Sequence, residues 1–77
     1  EGVKLYPNPS TGTITIEKAS GGTLGLYDIQ GKLLLSRGIK SEKETLSLGN
    51  LPEGLYIWRV EDLIHGGYET GKLVIQR

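Results

Sequence analysis

Apolar residues recur at every second position along this chain, in short runs broken by glycine, proline, asparagine and aspartate. A period of two puts alternate side chains on one face of an extended strand, whereas a helix needs apolar residues three and four apart. Val3-Lys4-Leu5-Tyr6 is the first run. It stops at Pro7-Asn8-Pro9, where two prolines remove ladder donors and hold the backbone extended. Ser10-Thr11-Gly12 turns the chain into Thr13-Ile14-Thr15-Ile16-Glu17, a β-branched run with Ile14 and Ile16 on one face. Ala19-Ser20-Gly21-Gly22 is the next turn, and Thr23 to Tyr27 alternates again with Leu24 and Leu26 inward. Asp28-Ile29-Gln30-Gly31 has the residues of a type I turn and predicts a hairpin into Lys32-Leu33-Leu34-Leu35-Ser36. The polar stretch from Gly38 to Lys43 then loops to a fifth strand over Glu44 to Leu48, with Leu46 and Leu48 as its inward pair.

The stretch from Leu51 to Val60 organises the rest. Tyr56, Trp58 and Val60 share one face and Leu55, Ile57 and Arg59 the other. A strand apolar on one side and mostly apolar on the other is covered on both faces or sits mid-sheet, since an edge strand carries more charge. Pro52 and Gly54 turn the chain into it, and the pattern fades near Glu61-Asp62. Leu63-Ile64-His65-Gly66-Gly67 reads as the last connection, with two apolar residues partly exposed, and Tyr68 to Gln76 as the seventh strand. Seven short strands at intervals of roughly ten residues predict an all-β fold, a seven-stranded antiparallel immunoglobulin-like β-sandwich. A closed barrel is the other architecture this pattern permits.

Composition narrows the function classes. At 77 residues the chain has room for one domain, residues 1–77. It has no cysteine, so its small core has no disulfide support, and thiol nucleophiles and Cys-based metal sites are excluded. Nine basic residues balance nine acidic ones, which leaves no overall field for nucleic acid or an anionic lipid surface. The longest apolar runs, such as Leu33-Leu34-Leu35, fall far short of the ~20 residues that cross a bilayer, so no membrane insertion is expected. The start at Glu1 and the lack of any methionine point to a piece of something larger.

Catalytic candidates are few. His65 has no second ligand at a suitable spacing and reads as a solvated loop residue. Asp28 is explained by its turn, Glu42 and Glu44 by an exposed loop, and Ser20-Gly21-Gly22 lacks the lysine and helix of a phosphate loop. No enzyme, metal or cofactor is indicated. For a carbohydrate platform the available rings are Tyr6, Tyr27, Tyr56, Trp58 and Tyr68. Trp58 and Tyr56 are expected to pack inward, which leaves Tyr6 and Tyr27 as the outward pair.

Four segments carry more than composition: Tyr6-Pro7-Asn8-Pro9-Ser10-Thr11-Gly12, Leu26-Tyr27-Asp28-Ile29-Gln30-Gly31-Lys32, Gly54-Leu55-Tyr56, and Gly71-Lys72-Leu73-Val74-Ile75-Gln76-Arg77. In their order and spacing they resemble the C-terminal sorting domain of type IX secretion cargo, type A. The family's proline-x-proline-then-glycine motif falls on Pro7, Pro9 and Gly12, with Asn8 between the prolines. Its glycine-x-tyrosine motif falls on Gly54 and Tyr56, and its terminal lysine-led motif on Lys72, running to Arg77. Leu63-Ile64 departs from the pattern by lengthening the last loop.

The resemblance implies an address without chemistry of its own. Such domains follow an N-terminal cargo domain and direct it, via the periplasm, through the outer-membrane translocon of the type IX system. A surface sortase, a cysteine protease, then removes the domain and links the cargo to anionic lipopolysaccharide, so the cargo ends secreted or at the cell surface. The cut is expected before or close to Glu1, the domain to act as a monomer, and Arg77 to end the reading frame. The terminal strand, with Lys72 and Arg77 beside it, offers itself to strand addition or to an acidic groove. Lys72 is equally an edge guard against aggregation, Pro7, Pro9 and Gly12 equally fix a turn, and Tyr56 is expected to anchor the core. The competing reading is an accessory immunoglobulin-like sandwich that binds carbohydrate or protein beside a catalytic domain.

Overall fold

The computed structural model describes residues 2–62 and 66–77; Glu1, Leu63, Ile64 and His65, and the expectations placed on them, lie outside the described residues. Seven strands form: β1 (Lys4–Tyr6), β2 (Thr13–Glu17), β3 (Gly22–Tyr27), β4 (Leu33–Gly38), β5 (Lys43–Ser47), β6 (Gly54–Asp62) and β7 (Tyr68–Ile75). They make two antiparallel sheets, one of order β1-β2-β5 and one of order β4-β3-β6-β7. The fold is the expected sandwich, and the two separate sheets set the closed barrel aside. β6 lies mid-sheet between β3 and β7, as its apolar faces predicted.

The core is the layer between the sheets. Ile14, Ile16 and Leu46 enter it from the three-stranded sheet, and Leu24, Leu26, Tyr56, Val60, Leu73 and Ile75 from the other. Every one of these follows the period-two pattern. Trp58 sits on the inward face of β6, directly opposite Gly71, and a Cβ at Gly71 would lie 2.8 Å from the indole. The ring therefore lies flat across β7, packed against the core and half-buried, which fits the inward role read from its position.

Local chemistry accounts for the turns. Asp28 Oδ1 accepts the N–H groups of Gln30 and Lys32, each at 2.9 Å, and Gly31 N donates to Asp28 O, as the turn residues predicted. One loop residue was misread. Ile39, in the polar stretch after β4, is buried at 2 % exposure, because its N–H and C=O pair with Gly22 O and Gly21 N and draw it beneath the sheet. Glu44, in β5, turns its carboxylate back onto the preceding loop. It accepts the N–H groups of Lys40 and Ser41, and these bonds hold its carboxyl below the usual carboxylate range.

Candidate functional site

Three segments far apart in sequence meet at one end of the sandwich: Pro7 to Gly12, Leu48 to Gly54, and Lys72 to Arg77. Each was singled out, in whole or in part, by its motif. Asn8 works as a one-residue strand. Its side-chain amide donates to Lys72 O at 2.7 Å and accepts from Val74 N at 3.0 Å, so it occupies the free edge of β7. Both peptide bonds that bracket this segment, Tyr6-Pro7 and Asn8-Pro9, are cis.

Ser10 continues the pairing. Its N–H donates to Val74 O at 2.8 Å and its carbonyl accepts from Gln76 N at 2.7 Å, making a parallel bridge to Ile75. The side chain is 1 % exposed; Oγ donates to Thr13 O and accepts from Gly12 N, each at 2.9 Å, so it is fully satisfied. Sequence reasoning treated Ser10 as a turn residue only. The signal available was its place one residue after Pro9, where the chain must leave the strand-mimicking segment.

Gly12 has φ of +122°, a conformation that L side chains rarely adopt, and a Cβ there would lie 2.7 Å from the Arg77 guanidinium. The space is needed because Arg77 passes directly over it. Arg77 Nη2 donates to Leu51 O at 2.6 Å and Leu48 O at 3.0 Å, Nη1 to Thr11 O at 3.4 Å, and the Arg77 N–H donates to Glu53 Oε2 at 3.1 Å. A guanidinium with its planar fork of donors suits three converging carbonyls where an ammonium would not. Gly54 pairs with Ile75, and the Tyr56 hydroxyl donates to Pro52 O while its ring is buried in the core. Tyr56 is thus an anchor, as read, that also fixes the loop before β6.

Two expectations change here. The outer edge of β7 from Lys72 to Gln76 is already paired with Asn8 and Ser10, so it does not stand open to an added strand. The Arg77 side chain, though exposed, does not stand free either, because its guanidinium is bonded to carbonyls of the two neighbouring loops. Lys72 is divided between two places. Its carbonyl belongs to the cluster, while its side chain, opposite Ile57 in the register, is exposed on the outer face of the four-stranded sheet.

The expected outward pair of rings does not gather. Tyr6, opposite Thr15, lies on the outer face of the three-stranded sheet, and its hydroxyl donates to the Glu17 carboxylate, which holds the phenol above its usual pKa. Tyr27, opposite Ile57, lies on the outer face of the other sheet. Both point outward as expected, but on opposite sides of the molecule, so they make no common platform.

The proline segment, the glycine-tyrosine entry to β6 and the lysine-led tail thus form one clasp, and a family model, that of the secretion system C-terminal sorting domain, matches residues 4–76. The chain belongs to that family. No curated protein and no solved structure matches it. As a sorting domain of type IX secretion it is the C-terminal signal that sends an attached cargo through the outer membrane, to be secreted or held at the cell surface, and it acts by interaction with the type IX machinery.

Proposed function

We propose that the chain acts as one non-catalytic sorting domain over residues 1–77, and that the type IX translocon reads the clasp of Pro7, Asn8, Pro9, Gly12, Gly54, Tyr56, Lys72 through its backbone, and Arg77 as a composite surface. A surface sortase then removes the domain from its cargo. The observation that carries this reading is the convergence of three separate motifs on one end of the fold, tied by Asn8 and Arg77. A signal assembled from distant segments exists only when the domain is folded, so recognition doubles as a check on folding. Asn8, Pro9, Gly54 and Arg77 keep exposed surface in the clasp and are the residues to be touched; the buried Gly12 and Tyr56 shape it from beneath.

The test is a reporter carrying this domain at its C-terminus, followed into the medium with the type IX machinery intact or disabled. Asn8→Ala and Arg77→Lys are expected to lower export more than they lower the melting temperature. Export that tracks melting temperature alone across these variants would reduce the clasp to a structural role. Persistence of the uncleaved fusion in sortase-deficient cells checks the removal step.

A further inference from the structure

The four-stranded sheet has a second face, turned away from the core. Of the five large apolar side chains exposed among the described residues, four lie on it or in the turn at its end: Ile29 at 71 %, Tyr68 at 60 %, Leu33 at 51 % and Leu55 at 43 %. The register sets Leu33 opposite Tyr27 and Tyr27 opposite Ile57, so these three cross the sheet as one band. Ile29 closes its end: with Tyr27, Ile57, Arg59 and Thr70 it walls a trough of about 340 Å³.

The band is held in place. Gly25 leaves room for the Tyr27 ring, which would lie only 3.0 Å from a Cβ at that position. Arg59, opposite Gly25, stacks its guanidinium 4.0 Å from the centroid of the Tyr68 ring and pairs with Glu61 at 3.3 Å, and its Nε is buried without a partner. Rigid tyrosines around an arginine are the side chains that bind partners with little loss of rotamer freedom. Exposed apolar residues add little to folding stability, and a contiguous patch of them marks an interaction surface.

Charge selects the occupant. The ionic groups of the face are Arg59, Glu61 and Lys72, with Asp28 at the end of the trough. Glu61 is taken by Arg59, and Asp28 Oδ1 by its own turn. The Lys72 ammonium, beside Ile57, has no hydrogen-bond or ion-pair partner among the described residues. A second copy of the chain would bring the same uncompensated cation to a shared interface. We infer that the outer face of the four-stranded sheet docks a protein whose contact patch is apolar at its centre and carries a carboxylate set against Lys72. The inference deepens the sorting role, and rests on it, with a second contact surface: the outer face of the sheet whose β7 edge the clasp closes.

The test uses the reporter fusion in cells with intact type IX machinery, with Ile29 and Leu33 each changed to Asp and to Lys. Both sites are exposed, neither is bonded to a clasp residue, and Ile29, at the tip of a turn, is expected to accept either charge without unfolding. The Asp variants are expected to cut export by about tenfold and the Lys variants by only a few-fold, since Asp repels the partner's carboxylate as well as removing the apolar contact. Each purified variant should melt like the parent. Parent-level export of Ile29→Asp and Leu33→Asp would overturn the inference, and Lys variants as damaging as Asp variants would remove the acidic partner. A dimer of the purified domain in sedimentation velocity that Leu33→Asp dissociates would assign the face to self-association instead. Loss of export with Asn8→Ala but not with Leu33→Asp would leave the clasp as the read element and sink the docking face; the reverse would keep the face and sink the clasp.

Discussion

The outer faces of the two sheets are built from different alphabets. On the three-stranded sheet Thr15 meets Thr45 with hydroxyls 3.3 Å apart, Glu17 meets Lys43, and Thr13 meets Ser47. On the four-stranded sheet the corresponding positions hold Leu33, Tyr27, Ile57, Leu55 and Tyr68. Both sheets have one buried face and one that meets solvent, so the hydrophobic effect asks the same of each. The first, Tyr6 apart, has a polar outer side; the second does not. The lesson is that apolar alternation on both faces of a strand, as in Leu55 to Val60, has two causes: coverage by a second layer, or a surface kept apolar for a partner.

The comparison is sharpest if the inner faces are equivalent. Leu26→Ala and Ile16→Ala, one from each sheet and both fully buried, should each cost about 2–5 kcal/mol in urea titrations. A large loss for one and none for the other would mean that the sheets do not share a core. Next in size is Gly25→Ala, expected to cost about 1–3 kcal/mol because the new methyl group displaces the Tyr27 ring. A neutral result would show the ring to be free of the sheet. Asn8→Ala removes two hydrogen bonds from the β7 edge and should cost about 1–2 kcal/mol, with faster hydrogen exchange at the Val74 amide. On the outer faces the effects shrink: Thr45→Ala should cost about 0.2–1 kcal/mol, and Leu55→Thr should stay within about 0.5 kcal/mol. A much larger cost at Leu55 would make that face structural rather than a docking surface.

The smallest effect is in pH. Glu44, held below the usual range first by its bond from Lys40 N and then by that from Ser41 N, has a folded-state pKa lower than its unfolded one. Its contribution is present above the unfolded value and fades as pH falls through the folded one. Glu44→Gln should therefore flatten the acid limb of the melting-temperature profile and leave its alkaline side unchanged.

Most of the fold was legible because strand chemistry is local. Ile14-Thr15-Ile16 and Leu24-Gly25-Leu26 announce both a strand and its buried face, and Asp28 to Gly31 announces the hairpin. Strand ends were less readable: β4 extends to Gly38 and β6 to Asp62, where pairing with neighbours carries the ladder past the loss of alternation. Ile39 went unread because its burial depends on Gly21 and Gly22, eighteen and seventeen residues earlier in the chain. In the clasp, the motifs named Asn8, Gly12 and Arg77, but nothing along the chain says that Asn8 closes the β7 edge or that Ser10, Thr11 and Glu53 complete the site.

The sequence alone determined the class of fold, the inward residues, the absence of cysteine chemistry and the family likeness, because period, composition and motif are properties of neighbours in the chain. The tertiary structure decided that the stretch from Lys72 to Gln76 is paired with Asn8 and Ser10, that the exposed Arg77 is tied to the carbonyls of two loops, and that Tyr6 and Tyr27 face opposite ways. Those outcomes depend on which segments a twisted sheet brings within hydrogen-bond reach, over separations of more than sixty residues, and on which sheet each strand joins.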